Sequence, residues 1–187
     1  MKFLNKLSYY LNKIKISEHK KINNLINEIH DFNKQRYQVY FDSVEYIFES
    51  TVDGDVVEFG VMRGYSSVAF ASSLNLFNKK NLFNNKKKIY LFDSFKGLPI
   101  IEHEIDQKNI NVKNNFWHEG AVKGYTRNEI ENIMQNYIDK DSIEIYEGYF
   151  DQTIKQLEDK SLFSLIHVDS DLYLSCIQAL EPLFENK

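Results

Sequence analysis

Residues 56–66 read VVEFGVMRGYS, a short apolar run that passes through two glycines into a helical pattern. The apolar run, residues 56–59, predicts a buried strand, and residues 66–76 predict a helix. Gly60 and Gly64 lie in the turn between them, where glycine lets the backbone approach a ligand closely and the first amides of the helix can bind an anionic group. A plain tight turn is the alternative, and glycine spacing alone does not decide between the two.

The rest of the chain repeats this alternation of strand and helix. Further short apolar or alternating runs predict strands at residues 89–92, 142–146 and 162–168. Helical periodicity predicts two helices between residues 18 and 50, and others at residues 126–137, 151–157 and 172–183. Thr126 and Glu129 form a capping-box pattern, and Asp151 is expected to cap the following helix. This order of elements predicts an α/β fold with a parallel sheet.

Composition limits the class of protein. With 187 residues, 43% of them hydrophobic, the chain can bury one sizeable core. A net charge of -4 excludes a globally basic surface, so no nucleic-acid partner is expected. The single cysteine, Cys176, cannot form an intrachain disulfide, and no apolar run approaches the ~20 residues that span a bilayer. We therefore expect a cytoplasmic protein without a transmembrane segment.

Acidic residues recur where the predicted strands end. The four strand ends fall at Gly60, Asp93, Glu147 and Asp169, and three of these are carboxylates for which core packing gives no reason. Parallel strands bring their carboxyl ends to one edge of the sheet, where ligands of such folds bind. The pattern therefore predicts a functional site at that edge.

Glu58 and Asp93 indicate what the site binds. An acidic residue inside an apolar strand costs desolvation unless it has a partner, and the amino group of a ligand would serve. Asp93 lies where nucleoside-binding α/β folds hold a ribose diol. Together they favour S-adenosylmethionine, which has an amino group and no pyrophosphate, over a nicotinamide dinucleotide. Helix capping or a local salt bridge is the structural alternative for both residues.

Residues 94–125 show no sustained periodicity. Loops of this length in compact domains are usually functional lids or disordered segments, and we interpret this one as a lid insertion. It contains His103 and His118, and the neighbouring Phe116 and Trp117 either close over a substrate or pin the lid to the core.

Three specific patterns, of which the first includes most of the stretch quoted above, stand in a fixed order along residues 50–187. They read VEFGVMRGYSS at residues 57–67, FDSFKGLP at residues 92–99 and HVDSDLY at residues 167–173. In this order they resemble the macrocin O-methyltransferase family of class I S-adenosylmethionine-dependent methyltransferases; the first also resembles catechol O-methyltransferase. The resemblance implies a Rossmann-like three-layer sandwich with a mostly parallel sheet. Its expected parts are an N-terminal helical extension (1–50) and a partial cofactor-binding α/β domain (51–187) with the lid insertion (94–125).

The resemblance also implies a site, residue by residue. S-adenosyl-L-methionine would be bound by Glu58, Gly60, Met62, Gly64, Tyr65, Ser66, Asp93, Ser94, Gly148, Tyr149 and Phe150. Asp169 would be a catalytic residue and the first ligand of a Mg²⁺ ion that binds neighbouring substrate hydroxyls, with Asp171 as a second ligand. His118 would be the catalytic base, with His103 and His167 as rivals. For His167, a buried histidine satisfied by its neighbours is the alternative.

The implied activity is Mg²⁺-assisted O-methylation of a sugar-containing small molecule or glycan. In the family the sheet continues past the fourth strand and an Asp-Asp pair adds metal ligands, whereas this sequence stops at Lys187. We therefore expect a sheet that is incomplete at its C-terminal side, through truncation or because another chain covers its edge. A homo-oligomer is expected, and the amphipathic start of the chain is predicted to pack on its own domain or on a second subunit. The alternative function is an inactive relative that serves as a binding or interaction module.

Overall fold

A computed structural model of the protein describes residues 34–80, 86–158 and 161–185. The chain forms two compact units, Met1–Tyr40 and Phe41–Lys187. The described part of the first unit, residues 34–40, is helical and begins helix α1, Lys34–Glu49. This confirms the second of the two helices expected before the first strand. The first of them, and the amphipathic start of the chain, lie outside the described residues.

The centre of the second unit is a four-stranded, all-parallel sheet. Its strands are β1 (Asp55–Phe59), β2 (Ile89–Asp93), β3 (Ile143–Glu147) and β4 (Phe163–Val168). They lie in the order β3-β2-β1-β4, so the chain steps outward in one direction and then returns to the other side of β1. The four predicted strands and the parallel α/β fold are confirmed.

Helices connect the strands. Beyond α1 they are α2 (Tyr65–Lys80), α3 (Glu104–Gln107), α4 (Ile110–Lys113), α5 (Arg127–Met134), α6 (Phe150–Thr153) and α7 (Tyr173–Glu185), with 3₁₀ turns at Lys140–Ser142 and Ile154–Gln156. The predicted capping box begins α5: the Thr126 hydroxyl accepts from the backbone of Glu129, and the Glu129 carboxylate accepts from the backbone of Thr126. Of the helices in the described ranges, none has the length and apolarity to cross a membrane.

One local expectation is wrong, and two short helices were not predicted. Residues 94–125 contain α3 and α4, with the His103 and Asn109 side chains as their N-caps. A helix of four residues is too short to show a periodic pattern. The wrong expectation is that Asp151 caps a helix: α6 begins after Tyr149, no side chain caps it, and Asp151 lies in its first turn.

Strand β1 is the most buried of the four strands, and it lies in the interior of the sheet between β2 and β4. Its residues 56–59 have no exposed surface, and they include the carboxylate of Glu58. Side chains alternate across a strand, so Val57 and Phe59 share one face and Glu58 lies on the other. On the first face Phe59 stacks on Phe92 at a ring-centroid distance of 4.8 Å, and Phe92 stacks on Tyr146 at 4.4 Å. The second face carries a buried charge in place of an apolar side chain.

The strand order reverses between β1 and β4, and their carboxyl ends touch there. Phe59 and Val168 are register partners at the ends of these strands. A Cβ atom on the next residue, Gly60, would lie 2.1 Å from the carbonyl oxygen of Asp169, and Gly60 has a φ of +93°. Glycine is therefore required at position 60 both by its dihedral angle and by the approach of the neighbouring chain.

This close approach predicts the cost of a methyl group at Gly60. Gly60→Ala is expected to destabilise the protein by about 3 kcal/mol or more, because strain at positive φ adds to overpacking against backbone. Gly120→Ala is the matched control: its φ is +77°, but the nearest heavy atom would be 3.9 Å from the new Cβ atom. Strain alone should cost it about 1 kcal/mol. Urea unfolding of both variants measures the difference, and equal losses would contradict the contact.

Candidate functional site

The carboxyl ends of the four strands lie at one edge of the sheet, as the sequence predicted. Backbone pairing continues past the strands: the amides of Gly60, Gly148 and Asp169 donate to carbonyls of the last or penultimate residue of the adjacent strand, at 2.8 to 2.9 Å. Asp93 ends β2 between two of these segments and pairs with Glu147 at the end of β3. The edge thus gathers the glycine turn and the acidic strand ends in one place.

Asp93 holds the glycine turn in shape. Its Oδ2 accepts from the backbone amides of Val61 at 2.7 Å and Met62 at 2.9 Å, and its Oδ1 accepts from the amide of Phe95 at 2.7 Å. Met62 has a φ of +49°, a conformation that is costly for a residue with a side chain and that these bonds help to hold. These bonds are neither the helix cap nor the salt bridge that was the structural alternative, and the ribose contact stays a prediction.

Glu58 has its partners inside the protein. The Ser66 hydroxyl donates to Oε1 and the Ser67 hydroxyl donates to Oε2, while Nδ1 of His167 lies 3.2 Å from Oε1. Both serines lie in the first turn of α2, and His167 is the register partner of Glu58 on β4. Because the carboxylate has no exposed surface, it cannot contact a ligand directly without a rearrangement of Ser66 or its neighbours.

His167 is half-buried and has its partner inside the protein, which fits the alternative that the sequence left for it. Burial alone would lower the pKa of its imidazole, but the hydrogen bond and charge of Glu58, with a contribution from Asp169, raise the pKa above its ordinary value. Its ring also packs edge-on against Phe70 of α2, at 5.4 Å between centroids. His167 therefore joins β4 to β1 and α2.

The end of the insertion lies directly on the glycine turn. The amide of Tyr125 donates to the carbonyl of Met62 at 2.9 Å, and a Cβ atom on Gly124 would lie 1.9 Å from the same oxygen. Helix α5 follows at once, and its Ile130 approaches Gly64 closely enough to meet a Cβ atom there at 2.9 Å. Gly124 could not be identified from the sequence, because its contact with Met62 joins segments that are far apart in the chain.

The remaining predicted cofactor residues have mixed surroundings. Tyr65 begins α2 and is half-buried. Ser94 donates to the carbonyl of Gly97 and is 8% exposed, so its hydroxyl shapes the turn after β2. Tyr149 is half-buried at the start of α6, and the Phe150 ring packs edge-on against Phe59 in the core. Their contacts with a cofactor stay predictions.

Asp169 and Asp171 form an exposed pair beyond β4. Asp171 has a φ of +61°, and burial of its carboxyl, followed by the charge of Asp169, raises its pKa. Carboxylates are the hard oxygen ligands that Mg²⁺ accepts, often only one or two of them together with substrate oxygens and water. Across the part of the chain that the structure describes, no group of three or more His, Cys, Asp or Glu side chains could hold a metal ion. The pair suits Mg²⁺ in ligand type but does not make a protein cage.

The insertion histidines have local partners. His118 is exposed and its Nδ1 lies 2.9 Å from the carbonyl oxygen of Glu119. His103 caps α3, and its ring centroid lies 5.1 Å from that of Tyr173 at the start of α7. Phe116 is 69% exposed, and Trp117 is half-buried. A role as catalytic base stays a prediction for His118.

Asp106 is a site residue that the sequence analysis missed. It is 5% exposed, and its Oδ1 and Oδ2 accept from the backbone amides of Tyr173 at 2.7 Å and Leu174 at 3.1 Å. A carboxylate from the insertion thus caps the helix that follows Asp169 and Asp171. The sequence near α7 suggests only that its cap must come from elsewhere. Helix α7 has no acidic residue in its first turn, and Leu172, which cannot cap, precedes it.

Comparison with known proteins identifies relatives. The sequence model of the family described as Macrocin-O-methyltransferase (TylF) matches residues 31–187. An 8-demethyl-8-(2,3-dimethoxy-alpha-L-rhamnosyl)-tetracenomycin-C 4'-O-methyltransferase of Streptomyces olivaceus is 27% identical over 141 residues, which are 75% of this chain. The chain spans 51% of the length of that enzyme.

Solved structures share the fold. The O-methyltransferase NovP superposes with a TM-score of 0.63 at 22% identity, over 81% of this chain and 60% of NovP. The calicheamicin methyltransferase CalS11 superposes with a TM-score of 0.71 at 16% identity, over 94% of this chain and 73% of CalS11. These likenesses confirm the methyltransferase-like fold.

The Asp106 contact predicts a measurable link between the insertion and α7. Asp106→Ala is expected to cost about 1 to 2 kcal/mol of stability, because the start of α7 loses a charged cap. Amide hydrogen exchange should quicken at Tyr173 and Leu174 in particular. The control is Asp151→Ala, an exposed first-turn carboxylate that caps nothing, for which a change within about 0.5 kcal/mol is expected. Unchanged exchange at Tyr173 would contradict the capping role.

Proposed function

Because this chain belongs to the macrocin O-methyltransferase family, we propose that the protein is an S-adenosylmethionine-dependent O-methyltransferase. The acceptor we propose is a hydroxyl of a sugar-containing small molecule or glycan. The observation that best supports this proposal is the glycine turn after β1, which Asp93 holds in shape. The turn lies where the strand order reverses between β1 and β4, with acidic strand ends beside it. The name of the Streptomyces olivaceus relative specifies a rhamnosyl-bearing acceptor, which supports the proposal of a sugar-containing acceptor.

The turn suits the amino-acid end and the ribose of the cofactor. The first amides of a helix have no partner within the helix, so the start of α2 can donate to the methionine carboxylate. A carboxylate offers about four acceptor positions, of which backbone amides occupy three at Asp93. Asp93 therefore accepts one ribose hydroxyl in the proposed complex, and its main work is to hold the turn. Gly148, Tyr149 and Phe150 follow β3 where the adenine is proposed to lie.

The reaction requires alignment and removal of a proton. When bound, S-adenosylmethionine would supply a sulfonium methyl group for transfer to the acceptor oxygen, with S-adenosylhomocysteine as the leaving group. The insertion, which Asp106 ties to the start of α7, and the Asp169–Asp171 segment that precedes α7 are proposed to position the acceptor and exclude water. His118 is the proposed base for the hydroxyl proton. Its exposure means that the substrate or a movement of the insertion must bring it to the acceptor.

Mg²⁺ assistance is the finer part of the proposal. Asp169 and Asp171 would hold the ion, which when bound would increase the acidity of a coordinated diol. Two carboxylates leave most of its coordination to substrate oxygens and water. Metal binding by this chain should therefore depend on the acceptor. A cytoplasmic location and a homo-oligomer stay predictions of the sequence.

Cofactor binding is the first test. At about 100 times its Kd, S-adenosylhomocysteine should stabilise the protein by about 2.7 kcal/mol and raise the melting temperature by roughly 5 to 10 °C. NAD at the same concentration should give no shift. Asp93→Asn should weaken S-adenosylhomocysteine binding about tenfold or more, because bonds to a charged acceptor are lost.

Glu147→Gln is the control for the Asp93 variant, since Glu147 ends β3 as an exposed carboxylate with no proposed ligand. It should bind S-adenosylhomocysteine like the unaltered protein. A larger shift with NAD than with S-adenosylhomocysteine would favour an oxidoreductase and refute the proposal.

The metal is tested through the acceptor. With S-adenosylhomocysteine bound, Mg²⁺ should raise the affinity of a vicinal diol such as methyl α-L-rhamnoside about tenfold or more, and Asp169→Ala should abolish that increase. Asp141→Asn removes an exposed carboxylate next to the amino end of β3 and should leave the increase intact. If Mg²⁺ has no effect and Asp169→Ala changes nothing while S-adenosylhomocysteine still binds, metal assistance is refuted and the interaction-module alternative gains support.

A further inference from the structure

Tyr173 continues the exposed side of the segment that carries the acidic pair. Exposed and covered residues alternate there: Asp169, Asp171 and Tyr173 are exposed, whereas Leu172 is 3% exposed. The Tyr173 residue is 45% exposed, although it begins α7, which reaches the core at Ala179. An aromatic ring therefore lies at the edge of the sheet, close in the chain to the carboxylates that are proposed to meet the acceptor.

The insertion holds Tyr173 at two points, and both belong to α3 and its cap. Asp106 accepts from the Tyr173 amide at 2.7 Å, and the ring centroid of His103 lies 5.1 Å from that of Tyr173, at an interplanar angle of 41°. His103 and Asp106 are three residues apart, so they lie on the same side of a helical turn. Displacing Tyr173 would break the charged cap and the ring contact together. The aromatic ring is thus in place before a ligand binds.

The imidazole of His103 has a fixed polarity. Its Nδ1 accepts from the backbone amide of Ile105 at 3.3 Å, and an amide can only donate. In a neutral imidazole one nitrogen accepts and the other donates, so Nε2 of His103 carries the proton. Among the described residues, none accepts a hydrogen bond from this Nε2. His103 therefore offers a donor beside the Tyr173 ring.

His118 has the opposite polarity, and this separates the two histidines of the insertion. Its Nδ1 lies 2.9 Å from the carbonyl oxygen of Glu119, which can only accept, so Nδ1 carries the proton and Nε2 is an acceptor. His118 can take up a proton at Nε2 without losing this bond. His103 can take one up only at Nδ1, where it would lose its bond to Ile105. His103 is therefore suited to donate to a ligand and not to act as a base.

A donor beside an aromatic face suits an amphipathic ring such as a pyranose. A pyranose has C–H groups on its faces and oxygen atoms around its rim. The C–H groups can pack on the Tyr173 ring as other apolar groups do, and a rim oxygen can accept from Nε2 of His103. A purely apolar ligand would leave the His103 donor without a partner. The two side chains together therefore favour a sugar.

We propose that Tyr173 and His103 form an acceptor subsite, in which Tyr173 packs on one face of the acceptor sugar and His103 donates through Nε2 to one of its oxygens. This rests on the proposed function, since it concerns the sugar acceptor. It makes His103 a hydrogen-bond donor in place of a rival base, and Tyr173 a residue that determines acceptor specificity. Because neither residue is a proposed metal ligand, the subsite acts with or without Mg²⁺.

The experiment measures the affinity of methyl α-L-rhamnoside for the protein saturated with S-adenosylhomocysteine, by NMR titration. Tyr173→Leu keeps an apolar side chain but removes the ring, and it should weaken sugar binding about two- to tenfold. Tyr173→Phe keeps the ring and should bind the sugar like the unaltered protein. The affinity for S-adenosylhomocysteine should be the same in all three proteins.

His103→Asn tests the donor. Asparagine is a favoured N-cap, so α3 keeps its cap, but the Nε2 donor and the ring are removed. Sugar binding should weaken about two- to tenfold, as expected for one hydrogen bond. Melting curves show whether each variant is folded; if Tyr173→Leu is not, His103→Asn decides alone.

Phe184→Leu is the matched control for Tyr173→Leu. Phe184 is a second exposed aromatic residue of α7, near its other end and about 16 Å from Tyr173 at the rise of a helix. Its replacement should leave sugar binding unchanged. Where Mg²⁺ raises the affinity for the sugar, it should do so by the same factor in every variant, because Asp169 and Asp171 are untouched.

Each result has a distinct meaning. If Tyr173→Leu or His103→Asn binds the sugar as tightly as the unaltered protein, or if Phe184→Leu loses as much affinity, the inference is overturned. Loss of the Mg²⁺ effect in Tyr173→Leu also overturns it, because the change would then act through the acidic pair. If S-adenosylhomocysteine binds but the sugar does not, the inference fails while cofactor binding stands. If neither binds, the proposed function fails as well.

Discussion

A carboxylate buried in the central strand needs donors, and that need ties three elements of the fold together. Glu58 has no exposed surface on the strand that β2 and β4 flank. An isolated charge there would cost far more than the few kcal/mol by which domains are stable, so the fold must supply partners. It draws two from the start of α2 and one from β4. The angle at which α2 leaves the turn is therefore tied to the pairing of β1 with β4.

The other carboxylates around the site also act mainly on the protein. Asp93 satisfies amides of the turn and of the chain after β2, and Asp106 satisfies the first amides of α7. Each carboxylate takes the place of the water that would otherwise accept from these amides. The resulting hydrogen bonds have a charged acceptor and are therefore stronger than neutral ones. Backbone groups, held in place by these anions, then form the surface that is left for a ligand. Such preorganisation reduces the ordering that binding must otherwise cause.

Local pattern was enough to predict the parallel strands, their ends and the capping box at Thr126, because each depends on residues close together in sequence. The helix starting at Tyr173 was predicted, but its cap was not, since Asp106 lies sixty-seven residues away. Glu58 was recognised as a residue in need of a partner, yet the sequence could not say that Ser66, Ser67 and His167 are those partners. Strand register and helix packing determine that choice. Helices α3 and α4 were not predicted, because a single helical turn has too few residues to show a helical pattern of apolar side chains.

The insertion between β2 and α5 is anchored at more points than a free lid would be. Near its start, the Leu98 amide donates to the Ala121 carbonyl and the Leu98 carbonyl accepts from the Gly120 amide, and at its end Tyr125 bonds to the glycine turn. In its middle, Asp106 holds it to α7. Movement at Asp106 would expose a carboxylate and two helix amides together, and Gly120 is bonded to Leu98, so the segment between them, from Lys108 to Glu119, can move at least cost. That segment contains Phe116, Trp117 and His118, so the proposed base lies on the part of the insertion that is held least.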